Sequence, residues 1–214
     1  VSNFEQQLQN IESKNGFIAA LDQSGGSTPK ALKLYGIEPE SWTNEEQMFN
    51  LVHEMRARII TSPAFRGDKI IASILFENTM DRPIQDLPTA QYLWEQKDVV
   101  PILKVDKGLA DESDGVQLMK PMPDLDYLLA KAKKAGIFGT KMRSVIKSHS
   151  PSGIEKILDQ QFELGSHICN SGFVPIIEPE VDIHCANKEE TETVLLKGLV
   201  NRLDGLQTSQ KVIL

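Results

Sequence analysis

Cysteine is nearly absent from this chain. Cys169 and Cys185, the two present in 214 residues, form no Cys-x-x-Cys pair. That excludes a disulfide scaffold and argues for a reduced, cytoplasmic setting. No apolar run approaches the roughly 18 residues of a membrane span, and the amino end lacks the basic and apolar regions of a signal peptide. The expectation is a soluble chain with no membrane partner. Cationic clusters are missing too: 23 Lys and Arg are dispersed among 30 Asp and Glu for a net charge of −7, so no nucleic-acid partner is expected. There is no Gly-x-Gly-x-x-Gly, no Walker spacing and no His-Glu-x-x-His. No low-complexity linker or composition shift divides the chain, and its 40% hydrophobic content can bury a sizeable core, so residues 1–214 read as a single domain.

What is present is a recurring strand design. Residues 172–180, Gly-Phe-Val-Pro-Ile-Ile-Glu-Pro-Glu, form an apolar run ending in Glu178 and Glu180, which share a face because residues two apart on a strand do. Residues 99–106 end likewise in Lys104 and Asp106, and residues 136–143 in Lys141 and Arg143. A strand covered on both faces is continuously apolar, so charge is expected only where it leaves the core. Parallel strands would gather these ends on one rim, where barrels and open α/β sheets place their chemistry.

Earlier in the chain, residues 16–22 read as a first buried strand ending at Asp22, a carboxylate that either caps a helix or acts in catalysis. In the loop that follows, Ser24, Gly25, Gly26 and Ser27 can offer donors to a phosphate, although such a loop is more often only a turn. Thr43 with Glu46 fits a capping box, before a core stripe of Met48, Leu51, Val52, Met55 and Ile59. A second strand occupies residues 69–76, and residues 81–88 read as a Pro-rich loop with solvated charges. Helices are expected over about 90–96, from Pro123–Asp124 to Gly136, over 152–171 and over about 188–206. Residues 108–115 read as an acidic surface loop. A sixth strand begins at residues 210–214.

Strands alternating with helices give a parallel α/β fold, either a (β/α)₈ barrel or a doubly wound sheet, the latter weakened by the missing dinucleotide fingerprint. Cations among carboxylates suit proton transfer or carbon–carbon chemistry on a phosphorylated sugar. Lys104 and Lys141 qualify as Schiff-base nucleophiles or as phosphate ligands. Glu178, Glu180, Asp182, His184 and Cys185 include metal-ligand types, but without a recognisable spacing, and His53, His149, His167 and His184 are scattered.

The segments GFIAALDQSGGSTPKAL, ILFENTMDR, ILKVDKGL, GTKMRS and VPIIEPEV, in this order, resemble those of class I (Schiff-base) fructose-1,6-bisphosphate aldolases of the bacterial and lower-eukaryote type. The resemblance implies a (β/α)₈ TIM barrel, with about five and a half βα units in this chain. It also implies reversible cleavage of fructose 1,6-bisphosphate to dihydroxyacetone phosphate and glyceraldehyde 3-phosphate, with no metal or other cofactor; a homo-oligomer is compatible with it. Asp22 resembles the residue that takes the C4 hydroxyl proton, and Glu178 the general acid/base of Schiff-base formation, with Glu180 as its partner carboxylate. Lys141 resembles the charge-stabilising lysine, and Lys104 and Arg143 match substrate- and phosphate-binding positions. The family's Schiff-base lysine is expected directly after Leu214, and its phosphate-binding positions of strands seven and eight lie outside the chain. The alternative is an inactive fragment or truncated relative that binds sugar phosphate without turnover.

Overall fold

In a computed structural model describing residues 2–24 and 26–214, the chain forms two compact units. One runs to Lys104 and takes in Lys131–Phe138; the other comprises Val105–Ala130 and Gly139–Leu214. The first opens with α1 (Asn3–Ser13), a helix that the pattern of apolar residues does not announce. Ser2 and Glu5 make this segment helical: the Glu5 amide donates to the Ser2 hydroxyl and the Ser2 amide to the Glu5 carboxylate, a reciprocal cap. Phe4 then docks the helix on Phe138, ring centroids 5.1 Å apart.

β1 (Phe17–Leu21), α2 (Thr28–Leu34), a 3₁₀ turn at Pro39–Ser41 and α3 (Glu45–Thr61) follow. Then come β2 (Ile70–Leu75), α4 (Glu77–Met80), β3 (Pro83–Ile84), β4 (Leu87–Pro88), α5 (Thr89–Lys97) and β5 (Val100–Lys104). β1, β2 and β5 run parallel in that order, with Ala19 opposite Ser73 and Ser73 opposite Pro101. Leu32, Met48, Val52 and Met55 form a core between α2 and α3, covered by Trp42, Leu51 and Ile59.

Three expectations need correction here. β1 is not a buried strand: Phe17 is 58% exposed and only Leu21 is buried, because among the described residues β1 is laddered on one side alone, to β2. The cap of α3 is Asn44, whose side chain accepts from the Gln47 amide at 2.9 Å, while Gln47 reaches back to the Thr43 amide and hydroxyl. Residues 81–88 hold an antiparallel hairpin, β3 with β4, turning through Gln85 and Asp86 at positive φ. Its flanking charges are engaged, Asp81 with Lys131 at 2.6 Å and Arg82 with Asn50 and Asn78.

The second unit holds β6 (Val116–Gln117), the start of α6 (Leu125–Lys134), β7 (Gly139–Ile146), α7 (Pro151–Asn170), β8 (Val174–Val181) and α8 (Lys188–Asp204). β7 and β8 are parallel in unbroken register, from Gly139 opposite Val174 to Ile146 opposite Val181. β6 lies antiparallel on the far end of β7. α7 starts at Ser150, whose hydroxyl accepts the Gly153 amide, and buries Ile154, Ile157, Leu158, Phe162 and Ile168 at helical spacing. The anticipated sixth strand is present as one parallel bridge: Ile213 donates to the Pro175 carbonyl at 2.9 Å and accepts from the Ile177 amide at 2.8 Å.

Asp111, Glu112 and Asp114 are all exposed as expected, and Asp114 is in addition tied to the start of α7. Its carboxylate accepts from Ser152, Lys156 and Ser150 at 2.8–3.0 Å, and these donors, Ser152 foremost, pull its pKa down to about 2. Among the described residues no helix is long and apolar enough to cross a membrane.

Candidate active site

β7 and β8 carry four of the anticipated charges in one cluster. Lys141 and Arg143 share a face of β7 and Glu178 and Glu180 share a face of β8, as the two-residue period requires. Lys141 stands opposite Ile176 yet its Nζ reaches Glu178 Oε2 at 3.0 Å; Arg143 stands opposite Glu178 yet grips Glu180. Each cation therefore leans one diagonal step forward along β8. The Arg143 contact is two-pronged, Nε to Oε2 at 2.5 Å and Nη2 to Oε1 at 3.0 Å, a geometry that only a guanidinium supplies.

The hydrogen bonds and charge of Glu180, aided by the charges of Glu178 and Asp106, raise the Arg143 pKa against the effect of partial burial. Lys141 is nearly buried, its side chain 10% exposed, whereas that of Glu178 is 33% exposed. A carboxylate held on one side by an ammonium and open on the other can pass a proton to a bound molecule.

These charges do not mark where the strands end. β7 continues through buried Val145 and Ile146, and β8 through Val181. The polar residues sit inside the ladder because opposite charges on adjacent strands satisfy one another there, which removes the need to exit. Asp106, a member of the expected rim, is 6% exposed; it accepts from the Gly108 amide at 3.1 Å and the Arg143 amide at 3.3 Å, and its charge also acts on the Arg143 guanidinium.

In the first unit, Asp22 is the residue after β1 and is half-buried, with Gln23 and Ser24 next to it. It is not the cap of α2, which begins after Ser27. The Ser24 carbonyl is held by the amides of Ser27 and Thr28 and by the Thr28 hydroxyl, each at 2.9 Å. Gly25 lies outside the described residues. Lys104 is the last residue of β5 and half-buried.

One residue of each unit escaped the sequence reading. Arg56 lies on α3 with no solvent exposure. It donates from Nη1 to Thr79 Oγ1 at 2.7 Å and from Nη2 to the Gln23 carbonyl at 2.6 Å. Gln161, equally buried on α7, donates to Ser144 Oγ at 2.9 Å beneath β7. Both interrupt an apolar stripe at helical spacing: Arg56 falls four residues after Val52 and four before Ile60, Gln161 four after Ile157. A polar residue on a buried helical face is the signal that was available.

Among the described residues no group of three or more His, Cys, Asp and Glu is arranged to hold a metal ion. The five candidates around residue 180 face different partners, Asp182 binding Lys147 at 2.6 Å and Cys185 lying buried against Thr191. Both cysteines are free thiols.

A family model described as fructose-bisphosphate aldolase class-I matches residues 4–201. The chain belongs to the class I fructose-bisphosphate aldolase family. It is 61% identical over 210 residues to a class 1 fructose-bisphosphate aldolase of Synechocystis sp., covering 98% of this chain and 70% of that one. Against the class 1 enzyme of Porphyromonas gingivalis it is 56% identical, covering 94% of this chain and 68% of the relative. A solved fructose-bisphosphate aldolase from Plasmodium falciparum superposes with a TM-score of 0.76 at 19% identity, over 98% of this chain and 63% of that one. At that identity the likeness speaks for the fold, which is of the (β/α)₈-barrel class, with five strand–helix units of the barrel and the first bridge of a sixth strand in this chain.

Proposed function

We propose that the chain carries most of the active-site residues of a class I aldolase. The reaction is reversible cleavage of fructose 1,6-bisphosphate into dihydroxyacetone phosphate and glyceraldehyde 3-phosphate, through a lysine imine and without metal. The observation that carries the reading is the pair of ion contacts on adjacent strands, Lys141 with Glu178 and Arg143 with Glu180, in the two segments that bear the family's motifs.

Glu178, partly exposed beside the Lys141 ammonium, delivers the proton that lets hydroxide leave the carbinolamine as water, and takes a proton when the step reverses. Lys141 offsets negative charge as it develops next to the imine. Glu180 fixes the plane of the Arg143 guanidinium, whose remaining donors serve a substrate phosphate, and Lys104 and Ser24 are each given a substrate- or phosphate-binding role as well. Asp22 accepts the C4 hydroxyl proton as the C3–C4 bond breaks, the electron pair passing to the iminium.

A reaction of this kind belongs to glycolysis and its reversal. Two unpaired cysteines suit a reducing cytoplasm, and the ligand is a phosphorylated sugar. We also read the two units as parts of one barrel domain, in a protein that can assemble with copies of itself.

Borohydride tests the reading, since it reduces an imine irreversibly. The chain spans about 70% of the Synechocystis relative's length, so the measurement uses the protein at the length of its relatives. With dihydroxyacetone phosphate and borohydride it should gain one adduct and lose activity, with the label on a lysine beyond Leu214. Label on Lys104 or Lys141 would overturn the roles given to them, and no label would overturn the imine mechanism.

A further inference from the structure

We infer that Arg56 is a positioning residue for the turn that holds Asp22, an inference resting on the role proposed for Asp22. The guanidinium lies in the core of the first unit with no solvent exposure, where a cation is retained only if its surroundings use it. Its two terminal nitrogens act on different elements. Nη1 donates to Thr79 Oγ1 on α4 at 2.7 Å; Nη2 donates to the Gln23 carbonyl at 2.6 Å and to Gln23 Oε1 at 3.2 Å. Among the described residues Nε has no hydrogen-bond partner.

Gln23 joins Asp22 to Ser24, so the bond to its carbonyl fixes the peptide immediately after the proposed proton acceptor. On the far side of that peptide, Thr28 holds the Ser24 carbonyl through both its amide and its hydroxyl at 2.9 Å. The turn is thus gripped from α3 on one side and from the start of α2 on the other. Burial lowers the guanidinium pKa and the negative charge of Asp22 offsets part of that, leaving it at about 10, which places the two charges within electrostatic reach.

A fork of fixed geometry is needed to span Thr79 and Gln23 together. An ammonium has no such fork, and a neutral amide also lacks the charge that faces Asp22. Misplacing a reacting group by about 1 Å can cost on the order of 10²-fold in rate. A residue that merely packs would lower the unfolding temperature and leave the rate per folded molecule alone.

The test compares Arg56→Lys, Arg56→Gln and Asp22→Asn in the full-length protein, with circular dichroism to establish the folded fraction. For fructose 1,6-bisphosphate cleavage, Arg56→Gln should lower kcat about 10- to 100-fold with KM within threefold. Arg56→Lys should fall between it and wild type, a partial rescue by charge without the fork. Imine formation with dihydroxyacetone phosphate, read by borohydride trapping, should proceed at the wild-type rate in both, since it does not use Asp22. Wild-type kcat in folded Arg56 variants, or equal slowing of trapping and cleavage, overturns the inference. A drop of less than threefold in Asp22→Asn overturns instead the role of Asp22 beneath it. If the Arg56 variants do not fold, Thr79→Val decides: kcat lowered at least threefold with unchanged KM supports the clamp, and unchanged kcat refutes it.

Discussion

Gly139 begins β7 two residues before Lys141, on the same face, and its lack of a side chain has a measurable consequence. A methyl carbon there would lie 2.2 Å from the Val174 carbonyl oxygen and 3.3 Å from the Val174 carbonyl carbon, both backbone of β8. Contact becomes ordinary only near 3.4 Å, so Gly139→Ala must part the two strands by about 1.2 Å at the Gly139–Val174 pair. No flexible side chain is available to move instead. Overpacking of this kind costs roughly 1–3 kcal/mol, offset by about 0.4–1 kcal/mol from the reduced freedom of the unfolded chain.

The net loss, at most about 2.6 kcal/mol and centred on about 1.3 kcal/mol, shifts the unfolding midpoint of a chain this long downward by roughly 3–5 °C at that central value. Thermal unfolding followed by circular dichroism reads it, with Gly26→Ala as control, because among the described residues nothing beyond its chain neighbours lies within 4 Å of a methyl group at Gly26. The control should sit at or slightly above wild type. A Gly139→Ala midpoint within 1 °C of wild type would show that β7 and β8 do not approach as described. The Lys141–Glu178 geometry two steps further along would then need revision as well.

Two further expectations concern single charges. Glu178→Gln removes the proton donor of carbinolamine dehydration, so rapid-quench trapping should show imine formation slowed about 10²- to 10⁴-fold and the carbinolamine accumulating; imine formation at the wild-type rate would move the role to Glu180. Asp114 has its pKa lowered from 3.8 to about 2 by Ser152, Lys156 and Ser150. Because the folded value lies below the unfolded one, the stabilisation is present above about pH 4 and disappears as pH falls toward 2. Wild type should therefore exceed Asp114→Asn in urea midpoint at pH 7, and the two should converge near pH 2. A constant difference over that range would mean that the Asp114 carboxylate is not what ties residues 108–115 to α7.

The alternation of strands and helices was legible in the order of residues, because apolar runs and helical stripes are local and periodic. So was the alignment of Lys141 with Arg143 and of Glu178 with Glu180, since a two-residue period needs no partner to define it. The five motif segments pointed to the family, and residue matching across 4–201 shows it. The helix at Asn3–Ser13 was written in Ser2 and Glu5 but overlooked, its face being too polar for an apolar stripe to announce it.

Only tertiary structure decided which charge meets which. Diagonal pairing of Lys141 with Glu178 and of Arg143 with Glu180 depends on the register of β7 against β8, set by strand packing 35 residues apart in sequence. That Asp106 also accepts from two backbone amides, of Gly108 and of Arg143, was equally a matter of the fold. Arg56 sits on a core helix; that its guanidinium ends on the carbonyl next to Asp22 follows from how the fold brings α3 to Gln23. Spacing along a chain fixes faces, while partners across space are chosen by the shape and desolvation of the packed core, and neither is local to any stretch of sequence.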